Sequence, residues 1–156
     1  AFEPNSEALL KMKNTINQNE NLKSKIKIFP YGLSNVNSKM QMSSMVKHGY
    51  VQTGGPGITN NKLSQNNKYT VYEAEFKIGD ETLNFRNNNL AIKIDVESHE
   101  LNVLEGIQNL LKNNKCIIQI EIFEKNFHTV NSYLLKKNFF LVDQFKERAN
   151  YFYSNY

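Results

Sequence analysis

Two rhythms of apolar and polar residues alternate along the chain, and each change of rhythm marks the edge of an element. In the opening segment AFEPNSEALLKMKNTI, Leu9, Met12 and Ile16 recur at helical spacing, and Asn5 or Ser6 stands where a helix N-cap belongs. Ala1 and Phe2 read as the last residues of a strand, with Glu3 and Pro4 as the junction. KIKIF, residues 25 to 29, alternates and stops at Pro30, Tyr31 and Gly32, which predicts a short strand and a turn. From about Val36 to Lys68 the periodicity gives way to Asn, Ser, Gln and Lys around Gly54, Gly55, Pro56 and Gly57. That composition predicts a long exposed loop or insertion at 36–68, with room for a hairpin. YTVYEAEFKI, 69 to 78, alternates again and turns at Gly79 and Asp80, with ETLNF as a candidate partner strand.

The second half is more regular. LAIKIDV, 90 to 96, predicts a strand, and residues 99 to 112 predict a helix with Leu101, Leu104, Ile107 and Leu111 on one side. CIIQIEIF, 116 to 123, sets isoleucines against Gln119 and Glu121 with period two, the strongest β signal in the chain. A helix over about 127 to 137 leads to two closing strands, FFLVDQF and NYFYS. This order predicts a single α/β domain over 1–156 with a mostly parallel, Rossmann-like three-layer sheet, right-handed crossovers and an antiparallel C-terminal edge. Ligands of such sheets sit outside the carboxyl ends of the strands, where Glu3, Asp95 and Glu121 would fall.

Composition narrows the class. With 40% hydrophobic and 22% charged residues, 156 residues form a globular chain large enough for its own core. The lone Cys116 lies in an apolar run, so no internal disulfide is possible and the thiol reads as buried and inert. No stretch reaches the roughly 20 apolar residues needed to span a bilayer, and no signal peptide precedes the fold, so a soluble, cytoplasmic protein is expected. The net charge of +4 is spread over scattered lysines, and arginine occurs only as Arg86 and Arg148, a distribution that argues against nucleic acid.

The candidate chemistry is acidic. A carboxylate closing a strand in a nucleotide-binding fold suits a ribose diol, because its two acceptor oxygens match two hydroxyl donors; Glu3 has that place, and equally suits the first turn of a helix. Asp95 ends a strand that otherwise reads as buried, so it must leave the core or be paired. Ser98 can cap the following helix, and Glu97 and Glu100 suit its positive end; they are also placed for a site. His99 is either a surface residue at a helix start or a general base, and Glu121 is unusual on so apolar a strand. His48 and His128 have no partner at metal-ligand spacing, and the glycines at 54 to 57 lack the following Gly-Lys-Ser/Thr of a phosphate loop, so no metal site is expected.

AFEPN, then IKIDVESHELNVLEGIQNLL, then CIIQIEIF and the terminal NYFY together resemble the FkbM family of S-adenosylmethionine-dependent methyltransferases. The resemblance implies a class I methyltransferase fold with a seven-stranded sheet, moving a methyl group from S-adenosylmethionine to a hydroxyl of a sugar or natural product. Glu3 would hold the cofactor ribose, Asp95 and Glu97 would line the methionine and acceptor side, and Glu97, His99 and Glu121 are the candidate bases. Two departures stand out. Ser98 replaces the family's usual Gly, and the first strand with its Asp-x-Gly-Ala loop is not matched, which implies an N-terminally truncated fold with weak or no activity. The competing expectation is a non-catalytic α/β module that uses an open sheet edge for partner contact or self-association. A dinucleotide oxidoreductase would share the ribose acid but leaves IDVESHE unexplained.

Overall fold

The computed structural model of the chain describes residues 1–59 and 68–156; the part of the expected loop at 60–67 lies outside the described residues. The chain forms an α/β fold that divides into two compact units, Ala1–Lys77 and Ile78–Tyr156, each with a sheet of its own.

In the first unit, helices α1 (Ser6–Asn17) and α2 (Glu20–Lys23) precede strands β1 (Gly32–Ser34), β2 (Ser38–Lys47), β3 (Tyr50–Val51), β4 (Gly57–Ile58) and β5 (Tyr69–Ile78). The sheet order is β1-β5-β2-β3, with β4 also on β2. Asn5 starts α1: its Oδ1 accepts from the Ala8 N–H at 3.0 Å. Its amide donates to Tyr72 Oη at 2.7 Å and Ser44 Oγ at 3.3 Å, so the cap residue also fastens the helix start to β2 and β5. β2 and β5 pair antiparallel from Ser38↔Phe76 to Met45↔Tyr69, burying Met42, Ala74 and Phe76 with Met40, Ile58 and Tyr72 against them. Gly32 needs its bare backbone, since a Cβ there would overlap the Phe76 ring.

Two expectations are corrected in this unit for identifiable reasons. The hairpin allowed for within 36–68 is present as β2 and β3, paired antiparallel at Lys47↔Tyr50, but more of the segment is strand than expected, because Met40, Met42 and Ser44 alternate inward; Ser44 is fully buried and bonded, which a polar composition hides. KIKIF is not a strand. The Lys25 and Ile26 N–H groups donate to Leu22 O at the end of α2, and only Phe29 pairs, through an isolated parallel bridge to Phe2.

In the second unit, α3 (Gly79–Thr82) is followed by β6 (Asn89–Ile94), α4 (Glu100–Gly106), α5 (Gln108–Lys112), β7 (Lys115–Glu121), α6 (Glu124–Lys136), β8 (Phe140–Phe145) and β9 (Asn150–Ser154). The sheet order is β6-β7-β9-β8, parallel for β6 and β7 and antiparallel for the other two pairings. In this second sheet the antiparallel C-terminal edge is as expected, whereas a mostly parallel arrangement is not seen: of its three pairings among the described residues only β6–β7 is parallel. Cys116, Ile118, Ile120 and Tyr153 on one face of the sheet are fully buried, as are Leu104, Val130 and Leu134 from α4 and α6. Each such aliphatic side chain contributes about 1.5–3 kcal/mol by leaving water.

ETLNF does not form a strand; Gly79–Thr82 is a helical turn instead. Its Asp80 explains why the expected 99–112 helix is broken. The Asp80 carboxylate accepts the N–H groups of Asn109 and Leu110 at 2.8 and 2.9 Å, groups that a continuous helix would bond to carbonyls four residues back. The break falls at Gly106 and Ile107, where helix propensity is already lowest.

Candidate active site

β6 and β7 run parallel in a register that pairs Lys93 with Gln119 and Ile94 with Ile120, which sets Asp95 beside Glu121 at the carboxyl ends of neighbouring strands. Successive strand residues alternate faces, so Lys93 lies on the face of Asp95 two positions on, and its Nζ sits 2.6 Å from Asp95 Oδ2. Lys93 was not among the residues singled out from sequence. An i, i+2 charge pair on a strand face is the signal that marks it.

After Asp95 the chain makes a turn in left-handed backbone. Glu97 has φ 50 and Ser98 φ 78, and the His99 N–H donates to Val96 O at 3.2 Å. α4 then begins from His99, so the expected cap by Ser98 is corrected: His99 holds the cap position and no side chain caps the helix. A left-handed non-glycine residue costs about 1–2 kcal/mol, which accounts for glycine as the usual family residue at Ser98. Ser98→Gly is expected to stabilise the chain by about 0.5–1 kcal/mol, the strain relieved less glycine's unfolded-state entropy; urea unfolding of the two proteins measures it.

Glu100, which as a first-turn acid had an ordinary helix-dipole explanation, is only 1% exposed. Its Oε1 accepts the Ser98 N–H at 2.7 Å, and the Asn126 amide approaches Oε2 at 3.5 Å. Burial pushes its carboxyl up, opposed by hydrogen bonds from its own N–H, from the Ser98 N–H and from Asn126, and Glu121 adds to the rise. Glu97 is also raised, first by burial and then by Asp95 and Glu100. Glu121 is raised by burial, by Asp95 and Glu97, and by a hydrogen bond to the Asp95 carboxyl, with Lys93 opposing. Four carboxyls thus feel one another within the second unit.

His99 is half-buried, and burial lowers its imidazole, keeping it neutral near pH 7. Glu3 lies in the first unit, following the Phe2–Phe29 bridge, with its N–H on Phe29 O at 3.1 Å and its Oε1 accepting the Asn5 N–H at 2.8 Å. Burial raises its carboxyl, and the Asn5 bond opposes that. Cys116 is buried, which raises its thiol. Among the described residues, no group of three or more His, Cys, Asp or Glu could hold a metal ion. No helix among them is long and apolar enough to cross a membrane.

The raised carboxyls bear on stability. Glu97, Glu100 and Glu121 bind protons more readily folded than unfolded, between the ordinary value of 4.5 and their raised values. Their contribution to stability therefore falls as pH rises through that window. His99 acts with the opposite sign, so the contrast is made with a variant: Glu97→Gln should show a shallower loss of stability than the parent chain as pH rises above about 4.5 in urea unfolding.

An α/β fold with acids at the carboxyl ends of adjacent parallel strands is the frame on which small cofactors are commonly bound. The methyltransferase FkbM domain family matches residues 1–151, and the chain belongs to that family. Among solved structures it is similar to the crystal structure of methyltransferase FkbM from Methylobacillus flagellatus KT, with a TM-score of 0.64 at 15% identity. That match covers 98% of this chain and 35% of the other, so this chain spans about a third of its structural neighbour. No curated protein matches it.

Proposed function

We propose that the chain is the catalytic part of an S-adenosylmethionine-dependent O-methyltransferase with a class I, Rossmann-like arrangement, acting on a hydroxyl of a sugar or natural product. The observation that carries the reading is the surplus of negative charge at the ends of β6 and β7: Asp95, Glu97, Glu100 and Glu121 repel one another, with Lys93 in an ion pair among them.

Of these, Asp95, Glu97 and Glu121 fit the cofactor's chemistry. Carboxylates attract a sulfonium and an ammonium and accept from ribose hydroxyls. Asp95, in an ion pair with Lys93, would serve the cationic methionine end. When bound, S-adenosylmethionine supplies the activated methyl group. The chain's own work is alignment, which can contribute several kcal/mol, and removal of the acceptor's proton. Glu97, His99 and Glu121 are the candidates for that proton. Burial and neighbouring carboxyls raise the proton affinity of both Glu97 and Glu121, and Glu97, the more deeply placed of the two, is taken as the base.

Transfer of labelled methyl from S-adenosylmethionine to a panel of hydroxylated acceptors, sugars included, tests the reading. Transfer to an oxygen supports it. Transfer only to nitrogen or carbon acceptors, or none to any, contradicts it.

A further inference from the structure

Outside the residues assigned to the reaction, Glu100 is the buried ionisable group whose position calls for a reason. It sits in the first turn of α4, three residues past Glu97, and is 1% exposed. The helix end alone would be satisfied by an exposed acid. Placing a carboxyl in the interior costs free energy unless its oxygens are engaged. Here they are engaged by the turn and not by a cation: Oε1 takes the Ser98 N–H at 2.7 Å, and Oε2 faces the Asn126 amide of α6 at 3.5 Å.

The turn so held has two consecutive left-handed residues, Glu97 at φ 50 and Ser98 at φ 78, neither of them glycine. Strained backbone of this kind persists only where its surroundings over-determine it. Bonds across the turn include the His99 N–H to Val96 O at 3.2 Å and the Ser98 N–H to Glu100 at 2.7 Å. Of the two, the second is charge-assisted and shorter.

We propose that Glu100 is a positioning residue: its buried carboxylate, steadied by Asn126, pins the Ser98 N–H, fixes the left-handed Glu97–Ser98 turn, and so sets where the Glu97 carboxyl stands relative to Asp95 and Glu121. Glu100 touches no reacting atom in this scheme. It acts through the backbone of its neighbours, and α6 reaches the site through Asn126. The role rests on the methyltransferase reading only for its benefit to catalysis; the pinning itself stands apart from it.

The groups facing Glu100 define the test. Glutamine keeps an acceptor for the Ser98 N–H, and Asn126 can turn its amide oxygen to the new NH₂; alanine removes the acceptor. Amide hydrogen exchange by NMR is measured on the 156-residue chain, on Glu100→Gln and on Glu100→Ala. Ser98 should be protected about tenfold or more over a free peptide in the parent chain, retained within about threefold in Glu100→Gln, and unprotected in Glu100→Ala. The amides of Ile118 and Ile120 in β7 serve as the internal control for folding, and because both variants remove the Glu100 charge, a Glu97 carboxyl titration that differs between Glu100→Gln and Glu100→Ala reports the turn and not the charge. Ser98 protection unchanged in Glu100→Ala while β7 stays protected overturns the proposal. Equal loss of protection in Glu100→Gln and Glu100→Ala overturns the acceptor role assigned to Oε1. If Glu100→Ala does not fold, the Glu100→Gln spectrum decides alone: a protected Ser98 supports the role, and an exposed Ser98 refutes it. S-adenosylmethionine titrated in parallel separates the two claims, since absence of binding by the parent chain counts against the methyltransferase reading and leaves the Ser98 result intact.

Discussion

Glu97→Gln is expected to lower kcat for methyl transfer by about 10²- to 10⁴-fold, the usual contribution of a positioned general base. A hydroxyl nucleophile is weak while it holds its proton, and an amide cannot take that proton in the transition state. Glutamine otherwise preserves the shape of the side chain, so the loss should appear in kcat, with the apparent affinity for the methyl donor nearly unchanged. His99→Gln and Glu121→Gln supply the comparison, and each is expected to cost less than Glu97→Gln. Release of S-adenosylhomocysteine measures all three. A Glu97→Gln enzyme with parental kcat, beside a crippled His99→Gln or Glu121→Gln, would move the role to that residue.

The largest expected effect on stability lies away from the acids. Asn155 follows β9, and its side chain bonds in three places: its Oδ1 accepts the Cys116 N–H at 2.7 Å, and its Nδ2 donates to Leu111 O at 3.2 Å and Asn114 O at 2.9 Å. It thereby ties the chain's last strand to the end of α5 and the start of β7. Cys116 is fully buried, so Asn155→Ala strands its N–H without water to replace the bond. The lost bonds and the orphaned donor together should cost about 2–4 kcal/mol. Asn155→Asp keeps the acceptor and loses the donor, and should fall between. A urea-unfolding loss under about 1 kcal/mol in Asn155→Ala would show that the neighbouring groups re-pair.

The sequence made the second unit far more legible than the first, and the reason is physical. β7 reads cleanly because Ile118, Ile120 and Ile122 are all fully buried while Gln119 and Glu121 are not, so burial and hydropathy alternate together. β2 breaks that link, since Ser44 occupies an inward position by bonding with Asn5 and Tyr72, and no hydropathy pattern records a long-range hydrogen bond. KIKIF fails in the opposite way: its alternation is genuine, but a strand needs a neighbour, and only Phe29 finds one.

The site shows the same division. Asp95 and Glu121 could be foreseen together because strand ends follow from pattern, whereas Lys93 was not singled out and Glu100, read as a helix-start acid or a site residue, was not foreseen as buried. Helix-dipole chemistry does apply to Glu100, yet the residue is buried and turned back on the Ser98 N–H, a choice made by backbone dihedrals that local propensity does not encode. Family membership, by contrast, was carried by one long motif, and the match over residues 1–151 bears it out.

The central claim is that the acids at the ends of β6 and β7 receive a cationic methyl donor. Titration calorimetry of S-adenosylmethionine into the chain and into its Asp95→Asn variant tests it most directly. The account predicts saturable binding by the parent chain and at least about tenfold weaker binding by Asp95→Asn, the loss of one charge-assisted contact. No heat of binding from the parent chain, or equal affinity in the two proteins, would contradict it.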